Sequence, residues 1–156
     1  MPVYNAEVRG LPVLEATLAS IEASREYCLK HYPYADQLSL DIVLVDDASS
    51  DATAAYLHNW ASQRPHVHVV TQPTNQGVAA ARNAGVAQNQ AQAFFFCDAD
   101  DRYLEPHILT GVQYLNRPLD PNLANPIYRL LGSYPAAVKT AIHMADPIHP
   151  YLARAD

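Results

Sequence analysis

Three carboxylates crowd into four positions at Asp98-Ala99-Asp100-Asp101, directly after the apolar run Phe94-Phe95-Phe96-Cys97. Charges this close repel one another unless something cationic neutralises them. An all-oxygen donor set suits a hard divalent ion, Mg2+ or Mn2+, usually held by one or two carboxylates together with substrate phosphates. The bland alternative is a solvated turn that caps the helix after it, because short motifs often arise without function. Other polar motifs stand at similar places. Tyr4-Asn5 follows Pro2-Val3, Asp46-Asp47 follows a β-branched run, and Asn75-Gln76-Gly77 precedes an alanine-rich stretch.

The elements that position these motifs are legible from periodicity. Residues 1–4 read as the end of a strand, oddly short, running into a loop. Residues 11–31 read as a helix, with Leu14, Leu18, Ile21 and Cys28 on one face and Pro33 ending it. Residues 40–45 form a second strand. Asp51 or Ser50 is placed to cap a helix over residues 53–63, whose inner face is Ala54, Leu57 and Ala61. Residues 67–71 are a third strand and 78–89 a helix, with Gly85 where another backbone approaches. Residues 93–97 are expected as a fourth strand, and Glu105-Pro106 opens a further helix with Ile108, Leu109, Val112 and Leu115 inside. Beyond residue 116 the pattern weakens, with a short helix expected over 127–131 and a strand over 136–142. Strand–helix alternation predicts an α/β fold, a mostly parallel sheet with helices on both faces. Each polar motif then falls just past a strand and collects at one sheet edge, where such sheets bind ligands.

Composition narrows the function. The 156 residues make one domain, and a net charge of −6 speaks against a nucleic-acid surface, which is normally basic. No apolar run approaches the roughly 20 residues of a membrane span. Cys28 and Cys97 make no disulfide framework and read as small core residues, and the seven histidines show no metal-ligand spacing. Met1-Pro2-Val3 lacks the regions of a signal peptide, so a cytoplasmic setting is expected.

In this order the motifs resemble those of the family 2 nucleotide-sugar-dependent glycosyltransferases, which have the GT-A fold. Pro2-Val3-Tyr4-Asn5 resembles the opening P-x-Y-N. The stretch from Leu44 through Asp46-Asp47-Ala48-Ser49-Ser50-Asp51 resembles V-D-D-G-S-x-D, with Ala48 where glycine is usual. Asn75 to Gly85 resembles N-x-G-x-x-x-A-R-N-x-G, and Asp98-Ala99-Asp100-Asp101 resembles the D-x-D motif. The resemblance implies that Pro2 and Tyr4 line the base pocket, Tyr4 by stacking. It implies that Asp47 accepts a hydrogen bond from the base, with Asp46 supporting it, and that Asn75 and Gly77 belong to the donor site. Arg82 would lie near the phosphates or ribose, as guanidinium geometry suits, or else form an ion pair. Asp98 would approach the ribose and belong with the metal, Asp100 would hold Mn2+ or Mg2+ directly, and Asp101 would do either or cap the next helix.

The implied activity is metal-dependent transfer from a nucleotide sugar, a UDP-sugar, with inversion, to a saccharide, lipid-linked or protein acceptor. Its setting would be cytoplasmic, at the inner face of a membrane. Inversion needs a general base, which the family carries well after the D-x-D motif. Neither Asp146 nor Asp156 matches that motif, so no base is assigned. Residues 1–115 are expected to be the donor-binding half of a partial GT-A domain, and 116–156 the incomplete start of an acceptor-side region. A binding module that holds the donor without transfer is the main alternative. A receiver domain, with Asp98 as phosphoacceptor and Lys139 at a strand end, leaves the first 40 residues unexplained. A nucleotidyltransferase would need more glycine and lysine than residues 5–11 offer.

Overall fold

The structure, a computed structural model, describes residues 1–115. The expected elements at 127–131 and 136–142, and Lys139, Asp146 and Asp156, lie outside the described residues. The elements are β1 (Pro2–Val3), α1 (Ala6–Arg9), α2 (Leu11–His31), a 3-10 turn (Ala35–Gln37), β2 (Ile42–Asp46), α3 (Thr53–Ser62), β3 (Val67–Thr71), α4 (Val78–Ala87) and α5 (His107–Leu115). The strands form a parallel sheet in the order β1-β2-β3, with Val3 beside Asp46 and Leu44 beside Val69.

Side chains alternate across a strand, so the central strand β2 serves two layers. Ile42 and Leu44 face one side and join Val3, Leu14, Leu18, Ile21, Leu57 and Val67 in a buried cluster, which places α2 and α3 there. Each fully buried leucine of this set contributes about 1.5–3 kcal/mol by leaving water. Val43 and Val45 face the other side, where α4 lies. A Cβ on Gly85 would come 3.1 Å from Val45 Cγ2 and 3.8 Å from Val43 Cγ1. The glycine inside α4 therefore lets helix and sheet approach closely, against side chains rather than another backbone.

Residues 93–97 correct the reading of a fourth strand. They take no regular structure. The free edge of β1 is two residues long and offers little to pair with. The segment is held by side chains instead. Cys97 enters the core beside β1, while Phe95 packs in a second cluster with Cys28, Ile108, Leu109 and Val112. The Tyr103 hydroxyl donates to the Phe96 carbonyl at 3.0 Å, taking the place of a ladder bond. Phe95 also sets the position of α5. A methyl at Gly111 would overlap its ring. Gly111→Ala gains up to about 1 kcal/mol of helix propensity but overpacks a contact at a cost of about 1–3 kcal/mol. The expected result is a net loss of about 1 kcal/mol, seen as a lower urea midpoint at unchanged slope, with Phe95→Leu restoring it.

Candidate functional site

The loops after β1 and β2 are stapled together. Asn5 takes a left-handed conformation at φ 44°, which asparagine tolerates. Its Oδ1 accepts from the Ser50 amide at 2.8 Å, and its own amide donates to Ser49 Oγ at 2.9 Å. The Ala6 amide donates to Thr53 Oγ1 at 2.8 Å, and the Ala52 amide donates to Glu7 Oε2 at 3.0 Å. Asp51, not Ser50, serves the start of α3, accepting from the Thr53 amide at 2.9 Å. These bonds aim Tyr4 outward, with its side chain half exposed at 51%.

Ala48 lies inside this staple at φ 60°. A Cβ there costs about 1–2 kcal/mol. Glycine removes that strain but loses part of the gain to its greater freedom when unfolded. Ala48→Gly is therefore expected to stabilise the protein by about 0.5–1 kcal/mol, read as a higher melting temperature.

Asp46 and Asp47 divide their work. Asp46 faces the core side, where Oδ1 accepts from the Ser49 amide at 3.2 Å and Oδ2 is buried with no hydrogen-bond partner among the described residues. It does not line the site. Asp47 does, and its carboxylate is already engaged. Oδ1 accepts from Gln72 Nε2 at 2.9 Å and the Gln76 amide at 2.8 Å, and Oδ2 accepts from the Gly77 amide at 2.8 Å. Gly77, at φ 85°, turns the chain into α4. Asp47 is thus the clamp that fixes the loop before that helix. Asn75 is exposed beside the clamp.

The acid loop is anchored by hydroxyls on α2. Thr17 Oγ1 donates to the Ala99 carbonyl at 2.9 Å, Ser20 Oγ accepts from the Tyr103 amide at 3.0 Å, and Ser24 Oγ accepts from the Ile108 amide at 3.1 Å. Sequence reasoning missed these three residues and Gln72. Their signal was present: positions 17, 20 and 24 share the spacing of the apolar face of α2, and polar groups on a buried face need partners. Cys97 beneath the acids stays protonated, its thiol pushed up to about 12 by burial and then by the Asp101 charge.

One cavity of about 290 Å3 opens at this edge, lined by Pro2, Val3, Tyr4, Ala6, Gly10, Val13, Leu14, Asp47, Val78, Asp98, Ala99 and Asp100. Of the residues singled out from sequence, Pro2, Tyr4, Asp47, Asp98 and Asp100 meet there. Arg82 reaches it only through Asp98, pairing Nη2 with Oδ1. Asp101 is exposed outside it, with its amide donating to the Asp98 carbonyl at 3.2 Å. Among the described residues no three acidic, histidine or cysteine side chains converge as a metal site.

Residues 1–152 match the glycosyl transferase family 2. The chain belongs to that family. Relatives within it include a dolichyl-phosphate beta-glucosyltransferase of Trichomonas vaginalis, 30% identical over 100 residues, covering 64% of this chain and 28% of the relative. An uncharacterized glycosyltransferase of Haemophilus influenzae is 32% identical over 101 residues, covering 65% and 34%. The chain thus spans about a third of the length of these relatives. Among solved structures, the mannosyltransferase PcManGT from Pyrobaculum calidifontis, in complex with GDP-Man and Mn2+, superposes with a TM-score of 0.58 at 26% identity, covering 75% of this chain and 31% of that one. S. aureus TarS 1-349 shares the fold, with a TM-score of 0.54 at 23% identity over 73% and 30%. The parallel sheet with helices on both faces is the family's GT-A architecture, and the receiver reading falls with that match. Among the described residues no helix is long and apolar enough to cross a membrane.

Proposed function

We propose that this chain forms the donor site of a metal-dependent, inverting glycosyltransferase that uses a nucleotide sugar, a UDP-sugar by preference. The observation that carries this reading is the meeting of Tyr4, Asp47, Asp98 and Asp100, from separate loops, around one cavity at the C-terminal edge of parallel strands. Tyr4 offers an exposed ring for the base to stack on. Asp47 receives three donors, and a carboxylate has about four acceptor positions, so one remains for an imide N–H such as uracil presents.

The donor set also fits a divalent ion. It is all carboxylate, with Asp98 and Asp100 lining the cavity, and such oxygens suit an ion that shares its shell with substrate phosphates. Asp100 would hold Mn2+ or Mg2+. Such an ion supplies positive charge to the departing diphosphate. The presence of Mn2+ and GDP-Man in the 26% identical mannosyltransferase supports both metal and donor class. The acceptor is proposed to be a lipid-linked or other saccharide at the cytoplasmic face of a membrane. Relatives named for dolichyl phosphate support the lipid-linked class.

Calorimetric titration tests the donor reading. UDP is expected to bind in Mn2+ and to weaken at least about tenfold in EDTA. A folded chain that binds neither UDP nor GDP in Mn2+ would overturn it. Retention of the donor without transfer is the second reading, favoured by the engagement of Asp47 with loop amides and of Asp98 with Arg82, which leaves the cavity without an assigned base. Acceptor-dependent release of UDP separates the two.

A further inference from the structure

We propose that Gln72 is a positioning residue for base recognition: from the end of β3 it holds Asp47 so that the carboxylate offers one acceptor position to a base with a single ring N–H. This role rests on the donor reading above and adds the residue that sets its base preference. Gln72 follows β3 directly, and its amide donates to the Asp46 carbonyl at 2.9 Å, extending the contact between β2 and β3 by one bond. Its backbone is thereby fixed by the sheet. Its side chain turns to Asp47, where Nε2 donates to Oδ1 at 2.9 Å, and both residues are buried. The other two donors to Asp47, the Gln76 and Gly77 amides, belong to the loop before α4. Gln72 is thus the one donor of the three that the sheet carries, and groups borne on strands are placed more precisely than groups on loops.

The acceptor count gives this placement its consequence. A carboxylate oxygen has about two acceptor positions. Gln72 and Gln76 fill both on Oδ1, and Gly77 takes one on Oδ2. Asp47 lines the cavity and none of these three donors does, so the position left on Oδ2 is the one turned towards a ligand. Uracil presents one ring N–H between two carbonyls and fits a single acceptor. Guanine presents a ring N–H and an amino group side by side, which call for two acceptors, and Oδ1 has none left. Cytosine has a bare ring nitrogen at that place, an acceptor against an acceptor. Without Gln72 the carboxylate is held only by amides of a loop, and the acceptor that faces the base is no longer fixed.

Calorimetric titration of UDP, CDP and GDP into the chain in Mn2+ tests this role. Wild type is expected to bind UDP at least about tenfold more tightly than CDP or GDP, because a buried site built to receive one N–H rejects a base that lacks or mismatches it. Gln72→Met keeps the length of the side chain and removes the donor. It is expected to weaken UDP about tenfold and to leave CDP within about twofold, because cytosine brings no ring N–H to Asp47. The UDP-to-CDP ratio is the readout that a merely structural residue would not move. Gln72→Asn withdraws the amide by one methylene and retains its polarity. It is expected to give the same ratio, and it serves if Gln72→Met does not fold. Equal losses of UDP and CDP, unchanged UDP binding in a folded variant, or a wild type that binds GDP or CDP as tightly as UDP would each overturn the inference. The last of these leaves the donor reading standing, since a nucleotide is still held in Mn2+. A folded wild type that binds none of the three overturns both.

Discussion

Asp47→Ala is expected to lower folding stability by about 3 kcal/mol and to abolish nucleotide binding with it. Three donors converge on this carboxylate, and hydrogen bonds to a charged acceptor contribute about 1.5–3 kcal/mol each. The sum is not lost. The Gln76 and Gly77 amides lie at the surface side and regain water, whereas Gln72 is buried and does not. The binding loss has a different cause. Without the clamp, the turn at Gly77 no longer fixes the start of α4, and the cavity wall formed by Val78 moves with it. Asp47→Asn isolates the charge. Its Oδ1 can keep Gln72 and Gln76, but its amide then faces the Gly77 N–H, donor against donor, at a cost of about 1–2 kcal/mol. Urea unfolding of both variants checks the ledger. A loss below about 1 kcal/mol for alanine would mean that the loop is held by something other than Asp47.

The contrast between Asp47 and the aromatic run shows what the sequence could carry. Apolar spacing located α2, β2, α3 and β3 well, because each buries one face against its neighbours and the pattern is local. Leu14, Leu18, Ile21 and Cys28 are all buried as the spacing requires. Asp46 and Asp47 at the end of β2 were legible for the same reason, whereas Asp98 and Asp100 reach the same cavity from a segment that forms no strand. The run Phe94-Phe95-Phe96-Cys97 misled because composition reports burial and not pairing. Whether a buried segment joins a sheet depends on a free edge, and the two residues of β1 provide little of one. The short helix α1 and the partners of Asp47 were also out of reach. Both depend on loops far apart in sequence closing on one another: Glu7 on Ala52, and Asp47 on Gln76. Ala48 lies between these cases. Its departure from the usual glycine was visible, and the left-handed backbone that gives the departure a cost was not.

Asp100→Asn should produce the largest purely functional effect, a loss of about a hundredfold in UDP affinity in Mn2+ with no change in EDTA. The substitution is nearly isosteric, and Asp100 is exposed, so folding stability should stay within about 0.5 kcal/mol of wild type. What changes is the charge and one acceptor oxygen, which becomes a donor NH2: an amide oxygen is a far weaker ligand for a hard cation than a carboxylate. Asp101 provides the internal control. It is separated from Asp100 by one bond of the chain, carries the same charge, and lies outside the cavity. Simple loss of negative potential would affect Asp101→Asn nearly as much as Asp100→Asn. Direct ligation would leave Asp101→Asn within about threefold of wild type, because an exposed charge nearby is screened by water and salt. Equal losses in both variants would therefore reject Asp100 as a ligand and leave the acid loop acting only as a field. Unequal losses, confined to Mn2+ conditions, would place the ion on Asp100, with Asp98 committed to Arg82.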